Sequence, residues 1–393
     1  MQIQDKPSDL ETHPPVIEAG TYNESFYQNA QATFVVPRVP PRSRWRRSFF
    51  SPIAVLFLSG LLMVALVSFG LGATATSNGS TQASGANRSS SSSSMTTSAA
   101  QSAPSTVPNA TQEYGGQPAT YVLDRDGAKH FTFTARQVMW EVVKGQRVLA
   151  WAIDGTVPGP TIRVTAGDHV RITLTNHLPK ATALHWHGLE VPSNQDGVPG
   201  VGMQPIQPGQ TYTYDFMITN DDIGTHWYHS HYDDLEQVAG GLYGAFLVDP
   251  RPGIPQAAQA IKADVEYNEF IGMLGSYYVI NGKSFPDTQP IQVKHGQTVH
   301  LRLFGADTAM IHPMHLHGHF FNVVAEDGHR LPQPLQRDTL SVEPGSTYDL
   351  TFYAWAAPGS IYPFHCHILS HLMNPGQTGD EMGGLIVLVE YAK

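Results

Sequence analysis

Cys366 is the only cysteine in 393 residues, and it stands between His365 and His367. A lone cysteine has no internal disulfide partner, so its chemistry is more that of a metal-ligating sulfur than of a staple. Histidines recur in the same spacing at His185-Trp186-His187, His229-Ser230-His231 and His315-Leu316-His317, with His312 and His371 close by in sequence. Any one pair is compatible with ordinary core or surface histidines; four pairs around the single cysteine are not. Successive side chains on a β-strand point to opposite faces, so His365 and His367 share one face and Cys366 takes the other. One strand can therefore serve two metal sites. A thiolate with two imidazoles and a weak axial thioether makes a blue-copper site, whereas clustered imidazoles without thiolate suit copper centres that bind oxygen. The peptide between Cys366 and its neighbours is then a short through-bond route for electrons.

Strands must position these side chains, and the chain after residue 117 supplies them in two copies of one pattern. Trp151-Ala-Ile-Asp-Gly155 answers to Tyr278-Val-Ile-Asn-Gly282, Pro208-Gly-Gln-Thr-Tyr212 to Pro344-Gly-Ser-Thr-Tyr348, and Gly240-Gly-Leu242 to Gly383-Gly-Leu385. Runs such as Val170-Arg-Ile-Thr-Leu174 and Val299-His-Leu-Arg-Leu303 alternate apolar and polar residues, with Gly, Pro and Asn between the runs. Short strands with regular turn signals and no long helical period predict an all-β fold of two β-sandwiches, over residues 118–252 and 253–393. The second copy's His312, Cys366 and Met382 align with Thr182, Ser230 and Ala239 of the first, so only the second sandwich has the residues of a thiolate site. Both copies keep two His-x-His pairs. Each thus supplies four histidines to a shared cluster, which is expected at an interface between sandwiches.

Leu184-His-Trp-His-Gly188, His229-Ser-His231, His312-Pro-Met-His-Leu-His-Gly-His319 and Phe364-His-Cys-His367 followed by His371 resemble the motifs of the multicopper oxidases, the laccase-like family. The likeness covers the whole chain after the linker, and each sandwich resembles a cupredoxin domain. It implies copper as cofactor, four ions per chain: type 1 on His312, Cys366 and His371, type 2 on His185 and His315, and a type 3 pair on His187, His229, His231, His317, His365 and His367. The implied activity takes single electrons from a small reducing substrate at type 1 copper, through an exposed edge of His312 or His371. Four electrons then reduce dioxygen to water at the trinuclear cluster. Phenols, aromatic amines, Fe²⁺ and Mn²⁺ all remain open as reductants. With no middle domain, the chain is similar to the two-domain, small-laccase type, which implies a homotrimer with clusters between neighbouring chains.

Asp196, in Gln195-Asp-Gly-Val-Pro199, resembles the family's proton-delivering acid; the plainer alternative is a turn residue before Gly197. The family's axial residue falls five positions after the second type 1 histidine, which here is Gly376. An insertion therefore moves the expected thioether to Met382, just before Gly383-Gly-Leu385, with Met373 as the other candidate. Asp380 and Glu381, in that insertion, are expected to favour cationic or metal-ion reductants through local negative potential. His226, whose counterpart is Tyr362, and His319 are expected beside the metals rather than on them. Two rival readings differ in kind. A copper nitrite reductase shares the two-cupredoxin plan but carries its type 1 site in the first domain. A non-enzymatic electron-transfer or copper-storage protein needs the blue site or the histidines, not both across one strand.

Charged residues make up only 14% of the chain and the formal charge is −10. That balance argues against nucleic acid as a partner, since phosphate binding needs a basic surface. Ser48 to Asn87 contains no charged residue, and Pro52 to Ala73 is almost continuously apolar, the length that a helix needs to cross a bilayer. Arg38, Arg42, Arg44, Arg46 and Arg47 precede it. A single transmembrane helix over 48–75 is expected, with a cytoplasmic N-terminus and the copper domains outside the cell membrane. The alternative is a signal peptide cleaved after Ala73-Thr74-Ala75, which gives a secreted protein. Residues 1–47, rich in proline and polar groups, and the Ser/Thr-rich linker 76–117 are expected to be disordered.

Overall fold

Residues 107–378 and 381–393 are described by a computed structural model. The expected N-terminal segment, the apolar anchor and most of the linker lie outside these residues, as does Asp380. Among the described residues, no helix is long and apolar enough to cross a membrane.

The first sandwich stacks two sheets. One runs in the order Tyr121–Leu123, Lys129–Val143, His169–Asn176 and Thr211–Met217, with Gln146–Ile153 also paired to Lys129–Val143; the other runs Ile162–Thr165, Tyr243–Asp249, Gly224–Ser230 and Leu184–His187. His169–Asn176 shows why the layers close: Val170, Ile172 and Leu174 are fully buried, while Arg171, Thr173 and Thr175 alternate with them on the outer face. Trp186, Tyr214, Tyr228 and Phe246 fill the space between the sheets. Residues 107–117, expected from their composition to belong to the tether, instead join this sandwich. Met139 donates its N–H to the Pro108 carbonyl at 2.8 Å, Gly116 to Pro158 at 3.0 Å and Thr161 to Gln117 at 2.8 Å. Polar composition sets what a segment can bury; it does not prevent backbone groups from pairing along an existing strand.

The second sandwich repeats the plan. Its sheets run Tyr277–Ile280, Val265–Leu274, Thr298–Gly305, Thr347–Tyr353, Phe321–Glu326, His329–Arg337, and Ile291–Val293, Ile386–Tyr391, Ile361–Cys366, His312–Leu316, Thr339–Val342. The repeated Ile-Asp-Gly and Ile-Asn-Gly turns share one geometry. Asp154 and Gly155 have φ of 52° and 79°, Asn281 and Gly282 have 52° and 72°, a pair of left-handed residues that Asn, Asp and Gly accept most readily.

Thr298–Gly305 and Gly224–Ser230 are buried on both faces, although the first alternates in sequence. Their second faces meet where the sandwiches pack together. Half of that contact is apolar: Phe270 stacks on Phe304 at 4.3 Å between centroids and on Tyr243 at 5.0 Å, with Trp227, Ala245 and Leu247 around them. Each large apolar side chain buried there contributes about 1.5–3 kcal/mol. The other half is charged, with Arg163 of the first sandwich bonded to Glu266 of the second at 2.9 Å and Thr225 to Asp349 at 2.8 Å.

Candidate metal centres

His312, Cys366 and His371 converge inside the second sandwich. Their exposures are 1%, 0% and 3%. His312 Nδ1 and His371 Nδ1 are 3.2 Å apart, and Cys366 Sγ lies 3.8 Å from the first and 3.6 Å from the second. Ligands at roughly 2.0–2.3 Å from one first-row ion in a trigonal set stand about 3.5–3.8 Å from each other. The triad therefore fits a single small ion with an N₂S donor set, the set that suits type 1 copper. Backbone pairing holds it: Cys366 N donates to the Leu385 carbonyl at 3.1 Å and Leu385 N to the His371 carbonyl at 2.9 Å. Gly384 makes this possible, because a Cβ there would meet the His371 carbonyl oxygen at 2.0 Å. Burial raises the Cys366 thiol and, with the nearby His312, lowers His371. A bound divalent ion inverts that balance and takes the sulfur as thiolate.

Two further groups close this site, and neither was foreseen from the sequence. Asp307 accepts from His312 Nε2 at 3.0 Å, which leaves the Nδ1 lone pair aimed at the sulfur; Ala309 and Met310 N–H groups hold its other oxygen at 2.8 and 2.9 Å. Burial opposes ionisation of Asp307, yet the His312 contact and these two amides keep its carboxyl below the ordinary range. Half-buried Tyr278 lies flat on His371, with ring centroids 4.0 Å apart and planes 20° from parallel. The expected exposed imidazole edge is thus corrected: both histidines are covered, one by a carboxylate and the other by a phenol ring. Met382, the expected axial thioether, is 59% exposed and Met373 36%. Glu381 is exposed.

The His-x-His pairs gather into two quartets. In the first sandwich, His185 lies 5.6, 5.3 and 5.3 Å from the rings of His187, His229 and His231, and His187 Nδ1 is 3.2 Å from His229 Nε2. Ligand atoms of His185, His187 and His229 all fall within 4.8 Å of one another. Burial, and after it the nearby His185, pushes His187 down to about 4, and burial pushes His229 down to about 3. Both rings are therefore neutral at ordinary pH and have a lone pair to give a metal. In the second sandwich, His317 Nε2 and His365 Nε2 are 2.9 Å apart, with His315 and His367 on either side. No ring of one quartet contacts a ring of the other among the described residues. His317 and His367 are exposed, whereas the first quartet is half-buried or buried.

The internal repeat extends to the groups behind the metals. His185 Nδ1 contacts the Asp196 carbonyl at 2.8 Å, and His315 Nδ1 contacts the Asp338 carbonyl at 2.8 Å. His229 Nδ1 meets the Ser230 carbonyl and His365 Nδ1 the Cys366 carbonyl, both at 2.8 Å. In each case Nδ1–H donates and Nε2 is freed for a metal. Asp196 adds a carboxylate oxygen 3.2 Å from His185 Nδ1. His226 is buried and bonds the Asp222 carbonyl at 2.8 Å; His319 bonds the Tyr391 hydroxyl at 2.6 Å. His319 Nδ1 also donates to the His317 carbonyl at 2.9 Å, so it braces the second quartet from behind.

A sequence profile described as multicopper oxidase matches residues 134–253, and a second matches 249–375. Among solved structures, the multicopper oxidase mgLAC is 35% identical with a TM-score of 0.61, covering 67% of this chain and 86% of that one. The blue copper oxidase from Nitrosomonas europaea is 31% identical at a TM-score of 0.60, covering 67% and 85%. Copper resistance protein A of Pseudomonas syringae pv. tomato is 42% identical over 29% of this chain and 18% of its own length. Laccase-15 of Oryza sativa subsp. japonica is 31% identical over 53% of this chain and 39% of its own. The chain thus spans less than half the length of these two curated relatives. It belongs to the multicopper oxidases, an all-β, cupredoxin-like family whose cofactors are type 1, type 2 and type 3 copper. Nothing in the structure favours the nitrite reductase plan, because the first sandwich has no thiolate and fills the equivalent place with a hydrogen-bonded amide, Gln237.

Proposed function

We propose that the chain is a laccase-like oxidase, which couples one-electron oxidation of a small phenol, aromatic amine or metal ion to the four-electron reduction of dioxygen to two waters. Copper supplies the redox chemistry, at a type 1 site on His312, Cys366 and His371 and at a trinuclear cluster of the eight paired histidines. The observation that carries this reading is the end of one strand. Cys366 turns into the buried triad, while His365 and His367 on either side of it turn to the quartet. Two sites of different chemistry are thus joined by single peptide units.

The chain's own groups divide the work. Tyr278, half-buried above His371, is the ring that an incoming donor meets first. Asp307 fixes the His312 tautomer. The carbonyls of Asp196 and Asp338 orient His185 and His315 in the same way, which supports pairing these two histidines as the type 2 ligands. The other six paired histidines then form the type 3 set. Asp196 also has a carboxylate beside His185, placed to pass protons toward the cluster. Met382 remains the proposed axial thioether.

Each quartet supplies half of a cluster, and within one chain the halves stay apart. This supports assembly between copies, the first quartet of one chain meeting the second quartet of its neighbour. A head-to-tail contact of that kind closes as a ring after three copies. Trimers of His229→Ala and of His365→Ala, each lacking cluster copper, should regain some intact clusters when dissociated, mixed and reassembled. The readouts are copper per chain and oxygen uptake with a phenolic donor. No recovery on mixing, or an active monomer, would place the cluster within one chain.

A further inference from the structure

The insertion that displaces the expected axial position has its two ends paired. Gly383 N donates to the Leu372 carbonyl and Leu385 N to the His371 carbonyl, both at 2.9 Å. Met373 and Met382 therefore start from the two sides of one narrow stem beside His371. Burial does not fix either side chain, since they are 36% and 59% exposed. A weak, long axial bond cannot by itself order a flexible thioether. The backbone of the stem must therefore decide how close a thioether comes to the metal.

Asn374 fastens that stem. It is 9% exposed and its side-chain amide is bonded at both ends. Oδ1 accepts from the Ser284 hydroxyl and, at 3.1 Å, from Gly384 N; Nδ2 donates to the Phe285 carbonyl at 2.8 Å. An N–H on one side and a carbonyl on the other allow the amide only this orientation. Phe285 N in turn donates to the Gly384 carbonyl at 3.1 Å. A second amide closes the stem from the insertion. Gln377 Oε1 accepts from Asn374 N at 2.6 Å, and Gln377 Nε2 reaches the Met382 carbonyl at 3.5 Å. Glycine is required at 383, because a Cβ there would meet Gln377 Oε1 at 2.3 Å and Asn374 Cγ at 2.8 Å.

The anchor is itself fixed. Ser284 is fully buried and its N–H donates to the Val142 carbonyl of the first sandwich at 2.8 Å, while the Lys283 amine donates to the Glu141 carbonyl at 2.7 Å. The stem is thus tied to the contact between the sandwiches, through residues that touch no metal-ligating atom. Resting on the type 1 reading above, we propose that Asn374, fastened to Ser284, is the positioning residue for the axial side of that site. It holds the thioether at a set distance and so sets the type 1 potential.

Redox titration of the blue band in the full copper-loaded chain tests this. Asn374→Ala should keep the copper and the blue band and raise the potential, shifting the one-electron equilibrium roughly fivefold or more toward the reduced site. Ser284→Ala should shift it in the same direction. It removes one hydroxyl far in sequence from the metal ligands, which guards against a fold lost in Asn374→Ala. In a chain that also carries Met373→Leu and Met382→Leu, neither substitution should move the potential, whichever methionine is axial. Lower thermal stability with the potential unchanged in both variants would make the clasp purely structural and overturn the proposal. So would an equal shift in the chain without thioethers. A parent chain with no blue absorption would instead remove the type 1 reading, and this inference with it.

Discussion

The same place in the two sandwiches is solved in two ways. In the second, His312, Cys366 and His371 aim three donors at one point. In the first, Thr182 and Ser230 occupy the positions of His312 and Cys366, and both hydroxyls donate to Gln237 Oε1 at 2.7 Å, while Gln237 Nε2 donates to the Ala181 carbonyl at 2.8 Å. All three side chains are fully buried. A sandwich that has no thiolate must still fill the space between these strands and satisfy the polar groups there, and a single amide does both. What the second sandwich keeps for a metal, the first uses for its own stability. The paired histidines behave differently: both copies keep them, and both hold the first histidine of each pair by the same carbonyl contact.

The largest expected effect breaks the metal side of this comparison. Cys366→Ser should abolish the intense blue absorption and steady-state oxidase activity while cluster copper stays bound, because serine is a poor substitute for thiolate at such a site. A variant that is still blue, or still turns over, removes the type 1 assignment.

Gln237→Leu tests the other side. It leaves the Thr182 and Ser230 hydroxyls and the Ala181 carbonyl without their shared partner in a dry place, which should destabilise the protein by about 1–3 kcal/mol. Thermal unfolding should move down by several degrees, with blue absorption and copper content unchanged below the transition. Unchanged stability would mean that the amide only fills space.

Chemistry carried by adjacent residues was legible in the sequence; chemistry carried by distant ones was not. His365, Cys366 and His367 announce two faces of one strand because side-chain direction alternates locally, and the repeat exposes Thr182 and Ser230 as the silent copy. Gln237, Asp307, Asp338 and Tyr278 carried no such signal. Tyr278 reaches His371 only because its hairpin folds back across 93 positions, and Asp307 meets His312 through a loop whose shape depends on its own amide contacts. The expected exposed imidazole edge failed for this reason. The two sandwiches were readable from alternation and turns, whereas the double burial of Thr298–Gly305 depends on the contact with the first sandwich, which no single strand declares. Residues 107–117 look like the linker in composition and fold as part of the sandwich through backbone pairing, with Ala110 packed against the core and Thr111 bonded to the Asp154 carbonyl.

A smaller effect separates the two carbonyl contacts. Asp196 offers His185 both a carbonyl and a carboxylate, whereas Asp338 offers His315 a carbonyl, with the Thr339 hydroxyl at 3.0 Å. Asp196→Asn keeps the carbonyl and removes the acid. If the carboxylate passes protons, turnover should fall by roughly tenfold to a hundredfold and the pH profile should change, with copper retained. Asp338→Asn, which leaves the same carbonyl in place, should alter neither. Equal responses from the two would assign Asp196 to the turn before Gly197 rather than to proton transfer.

The smallest effect concerns the position that the first sandwich lacks altogether, where Met382 aligns with Ala239. Met382 directly precedes Gly383 and Gly384, and Gly384 packs against the His371 carbonyl, just ahead of the strand Ile386–Tyr391 that leads away from the triad. Met373 follows the helical turn Leu369–Leu372, which contains His371. Its N–H approaches the place where a Gly384 Cβ would be, at 3.2 Å, so both thioethers start from backbone next to the triad. A weak, long axial bond tunes a blue-copper site without holding the metal. Met382→Leu should therefore keep the copper and the blue band and raise the type 1 potential, and Met373→Leu should leave the potential close to that of the parent. Redox titration of the blue band reads both. A potential that responds to Met373 and ignores Met382 would move the axial position to the other end of the insertion and shift the alignment with Ala239.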